Sequence, residues 1–187
     1  MPNTRPDQNL NNEGICNACL SFEYQNKIDW DARKDILNRI IEEKKLKNKN
    51  GWNCVVPGSG GKDSTYQIIR AKELGLNPVF VTASTCDLSE IGRYNLENVK
   101  KIGFDVVEIS NNTKIRGKIN KIGLELLGDI SWPEHVSIFT IPVKFALAFD
   151  VPLILWGENP AIQLGDLNTA GKTGYDGNKL REMNTLQ

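Results

Sequence analysis

Apolar residues in this chain follow two rhythms. Short continuous runs at 54–56, 78–84, 105–109 and 151–156 are bounded by Gly, Asn or Pro and read as buried strands. Between them apolar positions return every three or four residues, which predicts helices. Asp29 is placed to cap a helix reaching about Lys45, with Ile36, Leu37, Ile40 and Ile41 as its stripe. Ile68, Ala71 and Leu74 mark a second helix that Gly75 stops, and a third is expected over 93–102. Ile115, Ile119, Ile122 and Leu126 mark a fourth. A fifth, over 136–149, would turn Val136, Phe139, Val143 and Leu147 inward, with Pro142 kinking it or opening its second half. Strands alternating with helices give an α/β fold class: a doubly wound parallel sheet behind a small N-terminal cysteine-containing segment. Ligands of such sheets sit beyond the carboxyl ends of the strands. That places Ser59 to Ser64, Ser84 to Asp87 and Gly157 to Asn159 on one rim.

The most informative stretch is Val55-Val56-Pro57-Gly58-Ser59-Gly60-Gly61-Lys62-Asp63-Ser64. A strand, a glycine-rich turn and a helix N-terminus together make an anion cradle. The glycines admit close backbone approach, and the first free N–H groups of the helix point at the anion. Lys62 adds a mobile positive charge, and Ser59 and Ser64 add hydroxyl donors. A plain glycine turn between strand and helix is the bland alternative. The stretch is not a Walker A loop, because Val56 stands at the first glycine position and Asp63 follows the lysine. A carboxylate beside phosphates repels them unless it holds a cation, so Asp63 implies Mg²⁺.

Composition narrows the partners. The 187 residues suffice for one α/β domain and a small appendage, and 23 basic residues balance 23 acidic ones. With no global positive field, a nucleic-acid partner is not expected. Four cysteines do not make a disulfide scaffold, residues 1–8 lack the apolar core of a signal peptide, and no stretch reads as a membrane span. A cytoplasmic location is expected. Cys16 and Cys19, with two residues between them, are half of a zinc site, and two reduced thiols are the alternative. Residues 1–50 read as a loop-and-helix segment, 51–165 as a nucleotide-binding domain, and 166–187 as a polar tail or the start of a further region.

Ser59-Gly60-Gly61-Lys62-Asp63-Ser64 matches the SGGxDS signature of the PP-loop ATP pyrophosphatases, whose fold is adenine nucleotide alpha hydrolase-like. Gly14-Ile15-Cys16-Asn17-Ala18-Cys19, Ile28-Asp29-Trp30, Ser131-Trp132-Pro133-Glu134-His135 and Leu155-Trp156-Gly157-Glu158-Asn159-Pro160 extend the likeness. Together with Met1-Pro2-Asn3-Thr4-Arg5-Pro6-Asp7, they resemble the N-acetyl sugar amidotransferases of surface-polysaccharide (lipopolysaccharide, O-antigen) biosynthesis. The likeness covers residues 1 to about 165.

The resemblance implies adenylation of a sugar's acetamido oxygen with release of pyrophosphate, after which ammonia displaces AMP to leave an acetamidino group. It implies ATP, Mg²⁺ and a nucleotide-linked or lipid-linked N-acetyl sugar. Ammonia would come from separate glutaminase and synthase-like partner proteins, and self-association into a homo-oligomer is compatible with the pattern. Lys62, Asp63 and Glu158 are the expected catalytic residues. Ser59, Gly60, Gly61, Lys62, Asp63, Ser64, Thr82, Ala83, Ser84 and Gly157 are expected to bind the nucleotide, with Thr82 to Ser84 against adenine or ribose. Two departures stand out: the family usually carries a Cys-x-x-Cys just before the Met1-Pro2-Asn3-Thr4 segment, and Ser131 and Glu134 replace a later family cysteine pair. Family chains are also longer, so truncation at both ends is expected. A zinc site built on Cys16 and Cys19 would then lack ligands. The alternatives are a tRNA-thiolating PP-loop enzyme and a truncated ATP-binding fragment without activity.

Overall fold

The computed structural model describes residues 9–48, 51–84 and 88–157. They fall into two compact units, residues 9–37 and residues 38–157.

In the first unit Leu10 pairs antiparallel with Cys16 across a tight turn. Asn11 Oδ1 accepts from the amides of Glu13 and Ile15 at 3.0 and 2.8 Å, and Gly14 takes φ 77°. Helix α1, Asn17–Gln25, follows directly. Helix α2, Trp30–Lys47, begins as expected, with Asp29 Oδ1 accepting from the Ala32 amide at 2.9 Å. Its stripe is narrower than expected. Only Ile41 is buried, while Ile36, Leu37 and Ile40 remain exposed.

The second unit holds the sheet. Strands β1 (Cys54–Pro57), β2 (Pro78–Ser84) and β3 (Asp105–Ser110) pair parallel in the order β1-β2-β3. The segment expected as the last strand enters as a single parallel bridge, Ile154 to Val55. The Val55 amide donates to Leu153 O at 2.8 Å, and the Leu155 amide to Val55 O at 2.9 Å. This segment therefore lies on the free side of β1, across from β2. The chain steps outward from β1 to β3 and then returns past β1, so the topological switch point falls between β1 and residues 153–155. In a doubly wound sheet that crevice is the place for a ligand.

Alternation along the strands sorts the core into two faces. Cys54, Val56 and Phe80 pack with Ile68 and Ala71 of α3 (Lys62–Glu73) and with Leu96 and Val99 of α4 (Glu90–Lys101). Val55, Val79 and Val81 pack with Ile141, Phe145 and Ala146 of α6 (Trp132–Ala148). Helices thus cover both faces, as expected of a doubly wound α/β sheet. Phe80 is fully buried, a contribution of about 1.5–3 kcal/mol relative to exposure.

Two stripes differ from expectation. In α5 (Thr113–Leu127), Ile115, Ile122 and Leu126 are exposed. In α6 the buried positions are Pro133, Ser137, Ile141, Pro142, Phe145 and Ala146, whereas Leu147 is 78% exposed. Helix α6 is apolar nearly all round, so spacing alone could not choose which side meets the sheet. Pro142 lies inside it and neither starts nor ends the helix.

Candidate functional site

Strand β1 is buried to Val56 and then delivers the chain to the sheet rim. Gly58 donates its amide to Val81 O at 3.1 Å, joining the loop to the end of β2. A Cβ at Gly58 would stand 2.3 Å from Ser64 Cβ and 2.5 Å from Phe80 Cζ, so no side chain fits there. Gly60 takes φ 83°, and a Cβ on it would lie 2.8 Å from the Leu96 amide nitrogen of α4. Both glycines are thus required by the protein itself. Gly61 is not: a Cβ there would meet only Ser59 Oγ, at 3.6 Å.

Gly61 is the N-cap of α3, and no side chain caps this helix. The first backbone bond runs from the Thr65 amide to Gly61 O at 3.0 Å, so the amides of the preceding first turn have no helical acceptor. Two hydroxyls brace the loop from below: Ser64 Oγ donates to Gly61 O at 3.3 Å, and Thr65 Oγ1 to Gly60 O at 3.2 Å. Lys62 and Asp63 stand at the opening, 89% and 81% exposed, with Lys62 Nζ 2.8 Å from Asp63 Oδ1. An ion pair this exposed is weak and is easily exchanged for ligands.

The donor set suits a polyphosphate with a divalent cation: free first-turn amides and Lys62 for phosphate oxygens, Asp63 for Mg²⁺. Mg²⁺ would supply charge neutralisation between phosphates. Of the expected β2 residues, Thr82 is buried on the α3/α4 side, and Ala83 packs toward the opposite face. Ser84 Oγ donates to Glu108 Oε1 at 2.7 Å.

The third rim loop arrives at the switch point. A Cβ on Gly157 would lie 3.1 Å from Gln67 Oε1 of α3. That Gln67 oxygen is buried and has no hydrogen-bond partner. Gln67 is one turn beyond Asp63, and only this i, i+4 spacing could have drawn attention to it. Trp156 packs against Phe139, ring centroids 5.4 Å apart, and so forms wall rather than an open stacking surface. Glu158 lies outside the described residues, as does Cys86.

In the N-terminal unit Cys16 Sγ and Cys19 Sγ are 3.6 Å apart, with Cys16 buried and Cys19 exposed. The backbone amide of Cys19 lowers the Cys16 thiol to about 7, while hydrogen bonding to Cys16 pushes Cys19 up. Among the described residues no third His, Cys, Asp or Glu joins them, so a closed four-ligand zinc site does not fit these residues. Cys54 is enclosed in the core, and burial pushes its thiol up to about 12, which leaves it unreactive. No helix among the described residues is long and apolar enough to cross a membrane. No protein-family model and no curated protein matches this sequence.

Proposed function

We propose that this chain binds Mg²⁺ and ATP at the N-terminus of α3 and cleaves the nucleotide between its α and β phosphates, transferring AMP to an acceptor oxygen. The observation that carries this reading is the uncapped first turn of α3 behind Gly61, with Asp63 at its second residue. A helix end without a protein cap favours an anion there, and a carboxylate in the same turn favours a metal-bound one.

The acceptor that fits the resemblance is the acetamido group of a nucleotide-linked or lipid-linked N-acetyl sugar. Adenylation makes the amide oxygen a leaving group, and ammonia then adds at the carbon and expels AMP. Lys62 and the α3 amides would hold the β and γ phosphates as pyrophosphate departs, work done mainly by positioning and charge stabilisation. Ammonia would be delivered by a separate glutaminase-type partner. The test is ATP–pyrophosphate exchange with Mg²⁺ and a panel of nucleotide-linked N-acetyl sugars. Sugar-dependent exchange is expected. ATP binding with no exchange for any sugar, or exchange stimulated only by tRNA, contradicts the reading.

A further inference from the structure

The same rim carries a second depression, where β2 and β3 end. A cavity of about 280 Å³ is lined there by Ser84, Arg93, Glu108, Asn111, Thr113 and Arg116, among others. Its lining is mostly polar and comes from two strand ends and two helices. Arg93 Nη1 donates to both oxygens of Glu108, at 3.1 and 2.8 Å. Arg93, with Ser84 behind it, holds the Glu108 carboxyl below the usual carboxylate range. Asn111 Nδ2 donates to Ser137 Oγ, which in turn donates to Pro133 O at 2.7 Å. Asn111 also lines the cavity, and its side-chain carbonyl oxygen is an acceptor.

Arg116 is the unusual member. Its side chain is only 16% exposed, and among the described residues its one ion-pair partner is Glu134, 3.8 Å from Nε. Glu134 also accepts from Asn120 Nδ2 at both oxygens, at 2.9 and 2.8 Å. A guanidinium has five donors, and with one loose ion pair and no nitrogen buried without a partner, Arg116 keeps donors facing water that can take other acceptors. An anion in the cavity would supply them. Phosphate matches the planar guanidinium fork in both charge and geometry.

We propose that this cavity binds a phosphorylated sugar, with Arg116 and Arg93 on the phosphate and Glu108, Asn111 and Ser84 on the hydroxyls. Fixed carboxylate and amide acceptors suit ring hydroxyls, which donate in set directions. At about 280 Å³ the cavity is just below the roughly 300 to 1,000 Å³ of pockets for drug-sized ligands, a size for a monosaccharide phosphate with any nucleotide or lipid carrier left outside. Helix α4 links the two sites. Its backbone at Asn95 and Leu96 abuts Gly60, and Arg93 lies three residues earlier, about 4.5 Å along the axis. The assignment of this ligand as the acceptor rests on the function proposed above.

The test measures equilibrium binding of N-acetylglucosamine 1-phosphate, its nucleotide diphosphate-linked form, and phosphate-free N-acetylglucosamine. ATP affinity is measured in parallel, and thermal unfolding checks that variants fold. The phosphosugar should bind at least tenfold more tightly than the free sugar. Arg116→Gln should weaken it tenfold or more with ATP affinity unchanged, and the more exposed Arg93→Gln should weaken it several-fold. Binding by the folded Arg93→Gln and Arg116→Gln variants equal to wild type would overturn the proposal, and so would no phosphosugar binding at all. Failure to bind ATP, with phosphosugar binding intact and sensitive to Arg116, would instead remove the proposed function and keep the site. Tighter binding of the nucleotide-linked form would identify the carrier as a nucleotide; equal binding would place the carrier's contacts outside this cavity.

Discussion

Helices α3 and α5 both start at the carboxyl rim of the sheet, and their first turns are built differently. At α5, Asn112 Oδ1 accepts from the amides of Lys114 and Ile115, both at 3.1 Å. At α4, Ser89 Oγ accepts from the Gly92 amide at 3.1 Å. At α3 the N-cap is Gly61, which has no side chain to accept anything. The same chain that caps two neighbouring helices leaves this one open, at the switch point and beside two exposed charged residues. Relative to Gly, an N-cap of Asn or Ser would add only about a few tenths of a kcal/mol of stability. Helices α1 and α6 also lack a side-chain cap, so what sets α3 apart is the tightly braced glycine loop before its open turn and the two exposed charged residues within it.

Substitutions at each terminus should therefore differ in kind. The largest expected effect is on chemistry: Asp63→Asn should lower pyrophosphate release by about 10²–10³-fold. Because Asp63 is exposed and only favours the helix dipole, stability should change by less than about 1 kcal/mol. Parallel turnover and thermal-unfolding measurements check both halves. Next comes Gly58→Ala, whose added methyl meets Ser64 and the fully buried Phe80. Denaturant unfolding should show a loss of about 1–3 kcal/mol, with ATP affinity falling as the loop is displaced. The smallest effect belongs to the closed terminus. Asn112→Ala should cost about 1 kcal/mol in the same unfolding assay and leave ATP affinity unchanged. A loss of ATP affinity there equal to that of Asp63→Asn would erase the distinction between the two helices.

The glycine-rich turn between β1 and α3 and the α/β fold with its parallel sheet were legible in the sequence because both depend on short-range signals. Glycines between a buried strand and a helix mark the loop, and period-two burial separates Cys54 and Val56 from Val55. What was hidden depends on which side of a helix meets the sheet. α6 is apolar all round, so its buried positions emerged only from packing, and α5 leaves its expected stripe exposed. The second cavity was hidden for a related reason. Arg93, Glu108 and Arg116 stand on three separate elements, and nothing in their spacing says that β2–β3 register brings them together. Gln67 carried a faint signal, one helical turn from Asp63, but its unsatisfied oxygen is a property of burial alone.

The most direct measurement is hydrogen exchange of backbone amides with and without Mg²⁺ and ATP. The amides of Lys62, Asp63 and Ser64 should slow markedly when nucleotide is added, because they become donors to phosphate. Those of Lys114 and Ile115, already bonded to Asn112, should not change. Unchanged exchange in the first turn of α3 at saturating Mg²⁺ and ATP would contradict the assignment of that turn as the phosphate site.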